Sequence, residues 1–250
     1  MSIFALVFGA LCFIVYPLPT PACQDEFLTA EQKKTREKLT KAADELRALA
    51  EELGRESENV LKEVEALGKK DGEKPADLDA ERLVEIARTA KKGIETAVKK
   101  RSLLDQGIRL LEEQFEARIE ETKEHIADIE AKVREVRGKE NISDEVKETL
   151  LRTYSILLEM SRAVLKSLEE NLRSQGKLET QLDQLFTILE HWQELGKLYL
   201  ERLKEEGLSR EKTNQAASSV VKGSAHTLTE VVGAITELVE DLEFAAIVPR

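Results

Sequence analysis

Three histidines are the residues of this chain best suited to metal binding or to acid–base chemistry at neutral pH. Metal sites in helical bundles use Glu-x-x-His pairs that project inward, and none of the three histidines has Glu three residues before it. His125 follows Glu121 by four residues, so both lie on one helix face, and an exposed polar pair is expected there. His226 precedes Glu230 by four residues, so this pair also shares one helix face and is expected to be exposed. His191 adjoins an apolar stripe and is expected to be partly buried.

The motifs that usually mark catalysis or cofactor binding do not occur in the sequence. It contains no G-x-x-x-x-G-K-[ST], G-x-G-x-x-G, H-E-x-x-H, G-x-S-x-G or C-x-x-C. The many carboxylates are interleaved with Lys and Arg, as on the solvated faces of charged helices. The sequence therefore predicts no enzyme, no cofactor and no metal site. With a net charge of −11 and no clustered basic face, it also predicts no nucleic-acid binding.

The N-terminal residues 1–23 contain no charged side chain. Their apolar run, Ile3 to Tyr16, would span only about 21 Å as a helix, which is less than the ~30 Å of a bilayer core. Prolines at positions 17, 19 and 21 prevent the helix from continuing. This pattern predicts a cleavable secretory signal over residues 1–22, followed by a short linker over 23–28. An uncleaved membrane anchor is the alternative.

Cys23 stands at the expected cleavage junction. Because Cys12 would leave with the signal, the mature chain would keep a single cysteine and could form no intramolecular disulfide. The sequence Thr-Pro-Ala-Cys that ends at Cys23 resembles a degenerate bacterial lipobox, in which the cysteine receives a lipid. Lipidation of Cys23, with a membrane tether through it, is therefore an alternative to a simple cut. The expected location is secreted or periplasmic, within the cell envelope.

The rest of the chain, residues 29–250, is predicted to be one elongated helical domain. Composition supports this, since 35% of residues are charged and 4% are aromatic, which is typical of long helices and coiled coils. Apolar residues recur at helical spacing, and the helices are expected at about 29–67, 79–137, 143–206 and 209–243. In the first helix, a heptad of Leu39, Leu46 and Leu53 alternates with small residues that permit close approach of a neighbour.

The two central helices are expected to differ in apolar width along their length. Near the break at 138–143, the second helix has a narrow stripe that a single partner helix can cover. Toward the other end, the third helix adds Phe186, Ile188 and Leu198 beside its seam, so more neighbours are required. The fold class is therefore all-α: an elongated antiparallel four-helix bundle whose two central helices extend as a protruding coiled-coil hairpin. At its tip, Lys139, Glu140 and Asn141 are candidate partner contacts.

The predicted export signal, the heptad repeats and the absence of catalytic motifs together indicate a non-catalytic coiled-coil scaffold or adaptor. Such a protein would act through protein–protein interaction with an unknown protein partner. The chain resembles, in outline, the periplasmic hairpins of efflux adaptor proteins. Those proteins also carry β-rich parts with no counterpart here, so no residue and no function is carried over. Any seam could instead pair with a copy of itself in a homodimer. The alternative function is a membrane-acting, toxin-like or lipid-binding helical bundle, suggested by the weakly charged segment 214–234.

Overall fold

The fold is known from a computed structural model that describes residues 28–68, 80–139, 143–202 and 210–247. Four helices occupy almost all of these residues: α1 (Ala30–Gly68), α2 (Ala80–Gly138), α3 (Asp144–Arg202) and α4 (Arg210–Ile247). Within the described ranges there is no strand, so the all-α class expected from the sequence is confirmed.

Local hydrogen bonds set the starts of α1 and α3. The backbone N–H of Thr29 donates to Gln32 Oε1 (2.9 Å), and the N–H of Gln32 donates to Thr29 Oγ1 (3.2 Å). These two bonds form the expected capping box. At the start of α3, the N–H of Val146 donates to Ser143 Oγ at 3.4 Å. Both helices therefore begin where a capping side chain supplies an acceptor to an otherwise unpaired donor.

The helices form an up-down-up-down bundle in which each helix contacts its neighbours in sequence, and α4 closes the ring against α1. Ion pairs show the antiparallel register: Lys92 of α2 lies 3.0 Å from Glu56 of α1, and Arg101 of α2 lies 2.5 Å from Asp183 of α3. Helices α2 and α4 also touch across the diagonal. The bundle is therefore compressed along that diagonal, and α4 contacts all three other helices.

The contact between α1 and α4 is the most extensive in the molecule. Small residues of α1 face α4: Thr229 Oγ1 donates to Ser57 Oγ at 3.4 Å, and Gly54 lies against Val232. A similar approach occurs on α2, where a Cβ added at Gly107 would lie 2.9 Å from Leu46 Cδ1. The small residues of the α1 heptad therefore permit the close approach that their spacing predicts.

The core lies along the axis of the bundle and is built from leucine, isoleucine, valine, alanine and two phenylalanines. The largest of its side chains, all less than 2% exposed, include Phe186, Leu39, Leu46, Leu53, Leu83, Ile86, Leu104, Leu111, Leu189, Leu228 and Ile235. Helix α4 continues past its expected end at residue 243, because Ala245 and Ala246 are still buried against this core.

Helices α2 and α3 are 59 residues each, whereas α1 and α4 have 39 and 38. Helix α4 ends at Ile247, close to the point where Arg118 of α2 donates to the carbonyl of Ala245. The stretch of α2 from Arg118 to its end adds about 30 Å that only α3 accompanies. This stretch is the protruding hairpin that the fold prediction contains, and both short helices cover the same half of the central pair.

Candidate interaction surface

The residues predicted to contact a partner lie at the hairpin tip, and the structure describes one of them. Lys139 Nζ lies 2.6 Å from Glu135 Oε1, and this hydrogen bond raises the pKa of Lys139 above its usual value. Glu140 and Asn141 lie outside the described residues, as do Cys23 and the predicted signal over 1–22. What the structure shows at the tip is thus an exposed ion pair between the last turn of α2 and the residue that follows it.

The three histidines lie on three different helices, and each is exposed to solvent. The expected partial burial of His191 is wrong, because its neighbour Trp192 occupies the position that faces α4 and leaves His191 on the outer side. Within the described ranges, no group of three or more His, Cys, Asp or Glu side chains is arranged to hold a metal ion.

The weakly charged segment of α4 packs into the bundle. Ala225, Leu228 and Val231 are fully buried, and α4 contacts each of the other helices. Among the described residues, none of the helices combines enough length with enough apolar character to cross a bilayer.

A long uncharged strip runs along α3 within the hairpin, and we call it the hairpin face. Its nine residues follow one another at steps of one to three along the chain, on one side of the helix. None of them is buried. They are Val146, Thr149, Leu150, Thr153, Ile156, Leu157, Met160, Ala163 and Val164. In a chain with 35% charged residues, an uncharged face of about 27 Å is the most distinctive surface of the hairpin.

Several large apolar side chains of the hairpin face are open to solvent. Ile156 is 52% exposed, Val146 is 49% exposed and Leu157 is 38% exposed. Helix α2 does not cover them, because it packs on a neighbouring side of α3. Arg162, which lies about 120° around the helix from Ile156, pairs with Glu130 of α2 at 3.0 Å.

The two threonines at the centre of the hairpin face require no external hydrogen-bond partner. Thr149 Oγ1 donates to the carbonyl of Glu145 (2.8 Å), and Thr153 Oγ1 donates to the carbonyl of Thr149 (2.9 Å). Both hydroxyl groups are therefore satisfied within α3 itself. The face can be covered by apolar groups without leaving a buried hydroxyl unpaired.

One edge of the hairpin face, formed by Leu150, Leu157 and Val164, continues the side of α3 that α4 covers in the bundle. Leu150 and Leu157 belong to a seven-residue series that leads on to Leu178, Leu185 and Trp192. Leu178 and Leu185 are buried, and the Trp192 indole N–H donates to Thr227 Oγ1 of α4 at 3.1 Å. A seven-residue series keeps one side of a coiled-coil helix toward the same neighbour. This edge is thus the part of that side that lies beyond the end of α4, whereas Ile156 shares its seven-residue series with the exposed His191.

Charged residues border the hairpin face on its outer side. At every seventh position along this border stands an exposed charge: Glu145, Arg152, Glu159 and Lys166. Their signs alternate along the helix. An apolar centre with a charged border is the usual composition of a protein–protein interface.

A buried polar cluster lies where the bundle meets the hairpin. Gln175 Nε2 of α3 donates to Asp241 Oδ2 of α4 at 2.5 Å, while Gln175 Oε1 is buried without a hydrogen bond. Burial raises the pKa of Asp241, and the bond from Gln175 opposes this shift. Arg118 is also largely buried, which lowers the pKa of its guanidinium. Its bond to the carbonyl of Ala245 places positive charge at the negative end of α4.

Sequence reasoning missed the hairpin face because it considered the width of the apolar stripe only on α2. The stripe of α2 near the tip is narrow, as predicted, but α3 carries two adjacent apolar series at this level. The series that contains Leu151, Leu158 and Leu165 is offset by one residue from the series of Leu150, Leu157 and Val164. Two series offset by one residue make a face too wide for a single partner helix.

Comparison of the chain with protein-family models, with curated proteins and with solved structures found no match.

Proposed function

We propose that this protein is an exported, non-catalytic scaffold or adaptor of the cell envelope, which acts by binding protein through its projecting hairpin. The observation that supports this proposal is the uncovered hairpin face. An exposed apolar strip costs solubility unless something covers it, and on a soluble surface such a strip marks an interaction site. Export rests on the uncharged N-terminal segment 1–23.

The position of the face also supports binding of protein. It lies on the stretch where α2 and α3 run without α1 or α4 beside them, so a partner helix can approach from the side. Helices that present apolar residues at spacings of three and four bind other helices in this way. The bundle would then act as a rigid base for the hairpin.

The test is site-specific photo-crosslinking in the cells that produce the protein. A photo-reactive amino acid replaces Leu157 in the hairpin face and, as a matched control, Ile188, which is 41% exposed on the same helix but lies in the bundle. We expect protein adducts, either with a second copy or with another protein, at position 157 and far fewer at 188. The same samples show whether residues 1–22 have been removed and in which cellular fraction the protein lies. Comparison with the variant Cys23→Ser tests the lipid tether.

Two results would overturn the proposal. If position 157 gives no protein adduct, or gives adducts with lipid alone, the hairpin face does not bind protein. The second of these outcomes would favour the membrane-acting alternative, which binding of the purified protein to liposomes would then establish. If the protein stays in the cytoplasm with residues 1–22 intact, export and an envelope role are refuted.

A further inference from the structure

We infer that Gln175 of α3 and Asp241 of α4, which we call the junction pair, form a proton-dependent contact at the base of the hairpin. When the carboxyl group of Asp241 takes up a proton, its O–H donates to the unpaired Gln175 Oε1, and the end of α4 is held more firmly against α3. This inference does not depend on what binds the hairpin face, so it goes beyond the proposed function.

The junction pair lacks one hydrogen-bond donor. Gln175 Nε2 donates to Asp241 Oδ2 at 2.5 Å, whereas Gln175 Oε1 is buried and accepts no hydrogen bond. Gln175 is only 3% exposed, so bulk water has little access to it. One turn further along each helix, Leu178 and Ala245 are buried, and their side chains contain no donor. A buried acceptor without a donor costs free energy, so a donor placed here would strengthen the contact.

A proton on Asp241 supplies that donor. A carboxylate only accepts hydrogen bonds, whereas a protonated carboxyl group has one O–H donor and keeps acceptor capacity. With Oδ2 accepting from Gln175 Nε2, a proton on Oδ1 can be donated to Oε1 of the same amide. The terminal torsions of both side chains are soft enough for the two groups to align edge to edge. Protonation therefore replaces one hydrogen bond between α3 and α4 by two.

The environment of Asp241 on its own helix favours the protonated form. Burial raises the pKa of Asp241, and the negative charges of Glu237 and Glu240 on α4 raise it further, while the hydrogen bond from Gln175 opposes the shift. Both glutamates are exposed, so they add negative charge beside the junction pair without supplying a donor to it.

The described part of α3 brings no cation toward the junction pair. The basic residues nearest to Gln175 are Arg173 and Lys177, each two positions away along the chain. Two positions correspond to about 200° around a helix, so both lie on the far side of α3. Glu179, one turn after Gln175, is acidic and lies toward α2 beside Glu112. The side of α3 that meets α4 at this level is therefore free of positive charge.

Arginines of α2 and α1 close to the end of α4 bind other groups. Arg118 of α2 donates to the carbonyl of Ala245, and Arg47 of α1 pairs with Glu243. Among the residues that the structure describes, none forms an ion pair with Asp241. Because no cation holds Asp241 in its charged form, a proton can neutralise it without breaking an ion pair.

Acid should therefore tighten the junction. Since the pKa of Asp241 is raised in the folded protein, the folded form binds the proton more readily than the unfolded form. The contact strengthens as the pH falls through the folded-state pKa and gains nothing further below the unfolded pKa of about 3.9. Asp241 lies less than two turns before α4 ends at Ile247, so the end of α4 should respond most. Export, which the proposed function includes, would expose the junction pair to the pH outside the cytoplasm.

The first test follows the side-chain amide of Gln175 by NMR spectroscopy of the full-length protein as the pH is lowered. Its signals are identified by their absence from Gln175→Met, a change that keeps the length of the side chain. We expect them to shift with a midpoint above the usual aspartate pKa of about 3.9 and to stay constant in Asp241→Asn. Asp105→Asn makes the same chemical change at an exposed position of α2 and should leave the titration as it is.

The second test measures hydrogen exchange of the backbone amides of residues 241–247 by mass spectrometry, with variants compared at the same pH. At pH 7, Asp241→Asn carries a permanent donor for Gln175 Oε1 and should exchange about fivefold more slowly than the natural chain. This difference should disappear as the pH falls to about 4. In a Gln175→Met background, the same substitution should slow exchange only about twofold or less, because the bond between the two side chains is absent.

Three results would overturn the inference. They are an amide signal of Gln175 that stays constant or shifts only at the usual aspartate pKa, equal exchange of the natural chain and Asp241→Asn at pH 7, and an undiminished gain in the Gln175→Met background. Circular dichroism shows whether each variant is folded. If Gln175→Met does not fold, the exchange of the natural chain and of Asp241→Asn at the two pH values decides alone.

Discussion

Replacement of Gly223 by alanine should reveal how tightly α3 packs on α4. A Cβ at this position would lie 2.5 Å from Cζ2 and 2.7 Å from Cη2 of Trp192, much closer than such atoms approach in proteins. The indole would have to move by about 1 Å to reach an ordinary contact. That movement would strain or break the hydrogen bond from its N–H to Thr227. Gly223→Ala is therefore expected to weaken the contact between α3 and α4.

The magnitude follows from comparison with a second glycine on the same helix. A Cβ at Gly233 would meet nothing within 4 Å, so Gly233→Ala reports helix propensity alone and should stabilise the protein by about 1 kcal/mol. Gly223→Ala gains the same propensity term but adds overpacking that costs about 1–3 kcal/mol. The difference between the two variants cancels propensity and isolates the packing cost, which should be about 1–3 kcal/mol.

The assay is reversible unfolding by urea, followed by circular dichroism and by the fluorescence of Trp192, the single tryptophan of the chain. In a domain of this size, 1 kcal/mol corresponds to a shift in Tm of roughly 2–4 °C. In a Trp192→Leu background the clashing ring is gone, so Gly223→Ala should cost much less there, as followed by circular dichroism because these variants lack the tryptophan. If Gly223→Ala proves as stabilising as Gly233→Ala, the indole does not pack on Gly223 and the reasoning is refuted.

Two further predictions concern the polar cluster and the hairpin. Asp241→Asn should stabilise the protein by about 1 kcal/mol at pH 7, because a half-buried charge is removed and an amide can also donate to the unpaired Gln175 Oε1. Since the folded-state pKa of Asp241 is raised, its protonation favours folding, so this gain should shrink as the pH falls toward the unfolded pKa. Denaturation at several pH values checks it, and an unchanged gain at low pH would contradict it. Backbone amides in 119–138 should exchange hydrogen faster than those in 178–192; equal protection by mass spectrometry would show that the hairpin is supported.

The architecture could be predicted from the sequence because the lengths of the helices and the widths of their apolar stripes limit how the helices can pack. The spacing of Leu39, Leu46 and Leu53 identified α1 as a packed helix, and the break at Gly138 identified the turn of the hairpin. Two helices of 59 residues beside two of 39 and 38 must leave part of the longer pair uncovered. Heptad periodicity determines which side of a helix is buried, and connection lengths determine which helices are neighbours.

The details that concern the candidate site were less predictable, for physical reasons. Whether Leu157 is covered depends on where α4 ends, and the buried Ala245 and Ala246 carry α4 past the end that its sequence suggested. Helical periodicity shows that a residue belongs to an apolar series but not which neighbour covers it. The predicted partial burial of His191 was wrong for the same reason. His191 is offset by one residue, or about 100° of rotation, from the side of α3 that meets α4.

A comparison of the two helices of the hairpin gives the final reason to regard the hairpin face as an interface. Both helices run through the same solvent-exposed region and have equal length, yet the outer positions of α2 carry charges that pair within the helix, such as Lys132 with Asp128 and Lys123 with Glu120. Solvent exposure alone would place similar residues on α3. On α3, by contrast, the nine positions of the hairpin face carry no charge over about 27 Å. The pattern is therefore better explained by a bound helix than by exposure to water.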